Sequence, residues 1–373
     1  MRRLTGTIAA AAALLALTAG MPGAKAEDIL VGVAGPITGP DAQFGEQMKR
    51  GAQKAVEDIN AKGGVLGKKL KLLIGDDQCD ATQAVAVANK MVSDKIVFMD
   101  GHYCSSTSIP ASAVYNDGGV LQITPASTNP ALTDDAAAKG WNNVFRTVGR
   151  DDAQGGVAGK YIAEKYKGKK VAIIQDKTAY GKGLADETKK AMNAAGLKEV
   201  MYESITRGDK DFSALISKMK QAGVDVFYLG GYHPEAGLLV RQARDQGFNA
   251  QFISGDALVT DEFWKITGKA GEGVLMTFPP DPRNLPSAKA VVDSFKKDGY
   301  DPEGYTLYTY AAMQAFAAAA EKAKSVKVDD LSKALHSMTV DTVIGKLSWD
   351  KKGDINDAKY VFYVWKDGTY KEM

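Results

Sequence analysis

The order of apolar runs and helical stretches predicts an α/β protein: two doubly wound lobes with mainly parallel sheets and a ligand cleft between them. Three observations support this. Short runs rich in Val, Ile and Phe alternate with longer stretches of helical period, which is the pattern of βα units. The series starts afresh after Phe145-Arg146, and it changes character again after Pro279-Pro280.

Residues 1–26 read as a cleavable secretory signal peptide. Arg2 and Arg3 precede an alanine- and leucine-rich run over 8–19, and Ala24-Lys25-Ala26 stands before the acidic pair Glu27-Asp28. The apolar run is shorter than the roughly 20 residues of a membrane span. No cysteine lies near the cut, which argues against a lipid anchor. Cleavage leaves 347 of the 373 residues, enough for two cores. It also removes Arg2, Arg3 and Lys25 from the 47 basic residues, so 44 face 45 acidic ones and the formal charge of +2 becomes −1. That balance offers nothing to a nucleic acid. The working location is therefore expected to be outside the cytoplasm.

In the first lobe, strands are predicted at residues 29–33, 70–74, 96–99 and 120–124, with helices over 42–61 and 81–93. Gly149-Arg150-Asp151-Asp152 opens the second lobe and a helix over 151–166. Strands at 171–174, 199–204, 226–229 and 251–254 follow, interleaved with helices over 183–195, 212–221 and 235–246. The tail adds helices over 286–297, 305–324 and 329–337 and strands at 346–349 and 360–366. Gly63, Gly196, Gly223, Gly247 and Gly299 each follow a polar helical stretch, the position of a left-handed helix cap. The apolar run 311–320 is too short to span a membrane and reads as a buried helix. With no low-complexity linker, several short segments should join the lobes. Residues 27–146 plus 276–354 form the N-terminal lobe, and residues 147–275 plus 355–373 the C-terminal one.

Ligands of open parallel sheets sit beyond the carboxyl ends of the strands. Four strand-end loops are chemically distinctive: Gly101-His102-Tyr103-Cys104-Ser105-Ser106-Thr107, Thr124-Pro125-Ala126-Ser127-Thr128-Asn129-Pro130, Gly230-Gly231-Tyr232-His233-Pro234-Glu235 and Ser254-Gly255-Asp256. The hydroxyl run from Ser105 opens a helix, so it offers backbone N–H groups, side-chain donors and a favourable dipole to a carboxylate. Alone, Ser105 and Ser106 would be ordinary helix caps and Thr128 a turn residue. What favours a site is that these donor loops of the first half are matched by Asp256 and the Tyr232 phenol in the second. Together they suit the two ends of a zwitterion. Glu235 is a weaker candidate because it sits in a helix start. Phe44, Tyr103, Tyr180 and Tyr305 are candidate walls for the apolar part.

Cys79 and Cys104 are the only cysteines, and the expected pairing in an oxidising compartment is one disulfide. A pair of free buried thiols is an alternative. A zinc site would lack a nearby histidine pair. Catalytic signals are weak. His102, His233 and His336 lack metal-ligand spacing, no nucleophile elbow occurs, and the stretch from Gly63 to Lys69 lacks the spacing and hydroxyl of a phosphate loop. Asp76, Asp77 and Asp80 suit a solvated or cap-forming loop better than a cation site. No cofactor is required, and the chain is not expected to be an enzyme.

Nearly the whole chain after residue 26 resembles the periplasmic leucine/isoleucine/valine-binding proteins of bacterial ABC importers. The resemblance rests on Glu27-Asp28-Ile29, on Asp58-Ile59-Asn60-Ala61-Lys62-Gly63-Gly64, and on Asp76-Asp77-Gln78-Cys79-Asp80 with Gln83 to Lys90 after it. It continues through Cys104-Ser105-Ser106, Ala126 to Pro130, Asp211 to Ile216, Gly230-Gly231-Tyr232 and Thr342-Val343-Ile344-Gly345. It implies a type I periplasmic binding protein fold of the Venus-flytrap kind, working as a monomer with an ABC permease at the inner membrane, and a Cys79–Cys104 bridge. Ser105 and Thr128, with backbone near Tyr103 and Ala126, would hold the α-carboxylate. Asp256 and Tyr232 would hold the ammonium, with Phe44, Tyr180 and Tyr305 as pocket aromatics. Two positions depart from the family pattern: Tyr103 replaces a smaller aliphatic residue, and Asp256 replaces glutamate. They favour a small or polar amino acid, or 4-aminobutanoate, over leucine.

Overall fold

Residues 27–373 are described by the computed structural model, so the proposed signal segment 1–26 lies outside the described residues. The chain opens on β1 (Ile29–Gly35), whose apolar run is buried nearly throughout, as a strand covered on both faces must be. Then follow α1 (Ala42–Ala61), β2 (Leu70–Asp76), α2 (Ala81–Ser93), β3 (Phe98–Gly101), α3 (Ser105–Asp117), β4 (Leu121–Thr124), α4 (Ala131–Ala138) and β5 (Val144–Arg146). These strands make a parallel five-stranded sheet in the order β2-β1-β3-β4-β5.

The second series runs α5 (Asp151–Lys165), β6 (Val171–Gln175), α6 (Ala179–Ala194), β7 (Met201–Ser204), α7 (Ser213–Ala222), β8 (Val226–Gly230), α8 (His233–Asp245), β9 (Gln251–Ser254), α9 (Asp261–Thr267) and β10 (Leu275–Phe278). The tail consists of α10 (Lys289–Lys297), α11 (Thr306–Ala323), α12 (Val328–His336), the small hairpin β11 (Val340–Thr342) and β12 (Gly345–Leu347), then β13 (Val361–Lys366) and β14 (Thr369–Glu372). The second sheet has the order β14-β13-β10-β9-β8-β6-β7, with β13 and β14 as its antiparallel edge.

The chain crosses between sheets three times: after β5, after β10 and between β12 and β13. The helices after the second crossing return to the first sheet, where Phe316 of α11 stacks on Phe98 of β3 at 4.6 Å. Because β10 pairs with β9 and β13, residues 276–278 belong with the second sheet, not with the first lobe as the sequence suggested. The break is the Pro279-Pro280 pair, which can donate no ladder hydrogen bond. The strand expected over 96–99 lies two residues later, because polar Asp100 and Gly101 continue the pairing with β1.

Both parallel sheets reverse their strand order once, between β1 and β3 in the first and between β6 and β8 in the second. Such switch points open a crevice at the carboxyl ends of the strands. The loops leaving β3, β6 and β8 begin at His102, Asp176 and Gly231, and they approach one another across the gap between the lobes.

Candidate functional site

A small cavity lies between the lobes, walled by Tyr103, Ser105, Ala126, Tyr180, Tyr232, Asp256 and Tyr305, with about 10 Å³ of free space between them. Seven of the nine ligand-contacting positions expected from sequence therefore line one space. Asp256 follows β9 and is only 2 % exposed. Its Oδ1 accepts from the Tyr180 hydroxyl at 2.8 Å and from Gln154 Nε2 at 2.9 Å, while Oδ2 accepts from the Tyr305 hydroxyl. Burial pushes its carboxyl above the usual carboxylate range, and the bonds from Tyr305, Tyr180 and Gln154 pull it back. Burial also drives the phenols of Tyr103, Tyr180, Tyr232 and Tyr305 well above their ordinary range, so they stay protonated donors.

The opposite end is built from backbone and hydroxyl groups. The α3 helix begins at Ser105, and the amides of Thr107 and Ser108 fold back to the Cys104 carbonyl at 3.0 and 2.9 Å. Among the described residues, the amides of Ser105 and Ser106 are left at the open helix end, where the dipole favours an anion. Ser105 Oγ accepts from the Asn129 amide at 3.2 Å, which leaves its own proton to donate. The loop after β4 is stitched to this helix start. Thr124 Oγ1 donates to the His102 carbonyl at 2.7 Å, Ser127 Oγ donates to the Tyr103 carbonyl at 2.9 Å, and Ser127 and Ser108 share a bond of 2.6 Å. These bonds fix the loop against the helix start, so the Ser105 end of the cavity is held in one arrangement.

The aromatic rings form the rest of the wall. Tyr180 and Tyr232 have centroids 5.0 Å apart, and Tyr103 packs edge-on to Tyr305 at 5.4 Å. Phe44 does not line the cavity; it backs the wall, with its ring stacked on Tyr103 at 4.6 Å. Thr128 also stands outside the wall. It is fully buried, its carbonyl accepts from the Asp151 amide at 2.9 Å, and its Oγ1 has no partner among the described residues. The Tyr232 hydroxyl likewise has none.

Other sequence candidates take structural roles. Cys79 and Cys104 are joined in a disulfide with Cα atoms 5.5 Å apart, which settles the choice among bridge, free thiols and metal site. Asp80 caps α2 by accepting from the Gln83 amide at 2.8 Å. Asp77 is buried between the Cys79 amide and His102 Nδ1, and Asp76 takes bonds from Thr38 and Gln78. Burial, then Arg207, pushes His233 down to about 3, which keeps it neutral. Glu235 accepts from the Gly208 amide at 2.8 Å and faces Arg207. Sequence reasoning missed Gln154, His102 as a buried brace, and the pair Asp41 and Arg207. Each stands in a helix, turn or cap that carries no motif of its own.

Comparison with known proteins places these features in context. The periplasmic binding protein family profile matches residues 28–369. An "Amino acid binding protein" of Pseudomonas aeruginosa is 52 % identical over 350 residues, covering 93 % of this chain and 92 % of the relative. A "Leu/Ile/Val-binding protein homolog 1" of Brucella suis is 49 % identical over 356 residues and covers 95 % of each chain. The solved structure of a branched-chain amino acid transporter substrate binding protein from Streptococcus pneumoniae, in complex with isoleucine, matches with a TM-score of 0.84 at 26 % identity. That match covers 93 % of this chain and 99 % of the other.

Proposed function

The chain belongs to the periplasmic binding protein family, whose members bind solutes rather than act as enzymes, and we propose that it is the amino-acid receptor of an ABC importer. In this reading the chain is exported by its N-terminal segment, works in the periplasm as a monomer, captures a small amino acid by lobe closure and hands it to an inner-membrane permease. The names of the relatives support the class of ligand.

One observation carries the reading at the level of chemistry: a small cavity between the lobes with hydroxyl and helix-end donors on one side and the buried Asp256 carboxylate on the other. A zwitterion answers both. Its carboxylate meets Ser105 and the amides of α3, and its ammonium neutralises a carboxylate that burial alone disfavours. Charge-assisted bonds in such a dry site are short and strong. The free space of about 10 Å³ is room for roughly one water, so the walls must part to admit any amino acid, and the Tyr103 ring limits the side chain that fits when they close again. Because the wall comes from both lobes, the full set of contacts exists only in the closed form, so ligand stabilises closure.

The test is a thermal-shift screen of residues 27–373 against the common amino acids and 4-aminobutanoate, followed by calorimetric titration of those that respond. A ligand at 100 times its Kd should add about 2.7 kcal/mol of stability. Asp256→Asn should weaken binding by about 2–5 kcal/mol, because the ammonium then lies buried without its counter-charge. If no amino acid shifts the unaltered protein, the reading is wrong.

A further inference from the structure

Beside the cavity, Arg207 lies between two buried carboxylates that belong to different lobes. It follows β7 in the second lobe, and its Nη2 reaches Oδ2 of Asp41, the residue just before α1 in the first lobe, at 2.5 Å. Its Nε faces Glu235 Oε2 of its own lobe at the longer distance of 3.6 Å. The guanidinium carbon sits 4.3 Å from the centre of the Tyr232 ring, and that ring forms part of the cavity wall.

We propose that Arg207 is a positioning residue for the ligand: it holds Tyr232 in the wall and latches the closed cleft to Asp41, so that it sets how long a captured amino acid stays. The inference rests on the solute-binding reading above.

Its partners make the latch specific to the closed form. When the lobes part, Arg207 keeps Glu235 and Tyr232 but loses Asp41, because only Asp41 lies across the cleft. Asp41 is 1 % exposed with the lobes together, so the pair is desolvated there and hydrated once the cleft opens. His233 Nδ1 stands 3.9 Å from Asp41 Oδ1 and is neutral, so it does not replace the guanidinium charge. The bond across the cleft thus contributes to one of two states, which is the requirement for shifting their populations. Tyr232 joins the latch to the ligand: the ring that touches the cavity is the ring the guanidinium covers, and a cation over an aromatic face is attracted to it.

The test is stopped-flow measurement of association and dissociation on residues 27–373, with L-alanine, L-valine and 4-aminobutanoate as probes. Arg207→Gln and Asp41→Asn should each speed dissociation by about 30-fold or more, while association stays within roughly threefold. Arg207→Lys should recover part of the loss, because it keeps the charge across the cleft. The double variant should dissociate no faster than the worse single one, since both remove the same bond. A general packing defect would not produce this pattern: it would move both rate constants and would not be rescued by lysine. Probe dissociation at the unaltered rate in both single variants, or fully additive effects in the double variant, overturns the latch and leaves the binding reading standing. If neither these probes nor any other common amino acid binds the unaltered protein, both fall.

Discussion

The site depends on carboxylates that burial pushes towards the neutral form, and on how each is answered. At Asp256, three donors hold the carboxylate, and two of them, Tyr180 and Tyr305, also line the cavity. Tyr103 is the residue that narrows the space. Tyr103→Leu should enlarge the cavity and improve leucine binding by about 1–3 kcal/mol, the value of one or two methylenes in an apolar pocket, and titration of both proteins with leucine and alanine measures it. Glu303 is answered more weakly, with Gln47 Nε2 at 3.4 Å from its Oε1. It is 7 % exposed, and burial, reinforced by Asp261, pushes its carboxyl from 4.5 up to about 7. The folded state thus holds this proton more tightly than the unfolded chain. Its stabilising contribution is complete below about pH 4.5 and is lost as pH rises to about 7, by up to about 3 kcal/mol. Glu303→Gln should flatten the rise in thermal midpoint that the unaltered protein shows when pH is lowered from 8 to 5. Asp256 and Ser105 were legible in sequence because they close strand-end loops. Gln154 was not: it donates to Asp256 from 102 residues away, out of a helix rich in glycine and alanine that carries no motif.

At the scale of elements, close approach of backbones decides what the hydrophobic pattern cannot. The α5 and α6 helices pack through Gly155 and Gly159. A Cβ at Gly159 would lie 2.4 Å from the Thr188 carbonyl, and one at Gly155 would lie 2.7 Å from the Thr188 amide. Gly159→Val should therefore force the helices apart and cost about 1–3 kcal/mol or more, read as a lower denaturant midpoint. Gly156→Val, on the same helix where nothing stands within 4 Å, should be neutral or slightly stabilising, because Val has the better helix propensity of the two. Long amphipathic helices and the buried parallel strands were readable, as were the caps at Gly63, Gly196, Gly223, Gly247 and Gly299, all of which have positive φ. The short elements were not. β5 has three residues and ends on a buried arginine, β14 is a mostly exposed edge strand, and the apolar run of β10 carries no sign of which sheet it joins. Sheet membership is set by contacts far along the chain, and in β10 those contacts are with β9 and β13.

Capture by lobe closure, as proposed above, requires the lobes to move without coming apart, and the crossing segments carry that demand. Arg146, at the first crossing, is fully buried. It donates to the carbonyls of Ser127 and Asn129 in the donor loop and pairs through Nε with Asp354 of the third crossing at 2.7 Å. Arg150 reaches the other oxygen of Asp354 at 2.8 Å, and Thr133 Oγ1 donates to the same carboxylate at 2.8 Å. Asp354 thus ties two crossings to each other and, through Arg146, to the loop that carries Ala126 and Thr128. Removing one partner of a buried pair leaves a buried charge unanswered, which costs about 3–5 kcal/mol. Asp354→Asn should accordingly lower the thermal midpoint of residues 27–373 by roughly 4–7 °C. It should also weaken amino-acid binding, because Arg146 then holds the donor loop less rigidly. Lys352→Ala is the comparison. Its ammonium lies in the same cluster, 2.6 Å from Asp134, but is 38 % exposed, and an exposed pair contributes only about 0–1 kcal/mol. If the two variants lose stability equally, the cluster acts only as surface charge. If Asp354→Asn loses stability while affinity is unchanged, the tie holds the crossings together without shaping the site.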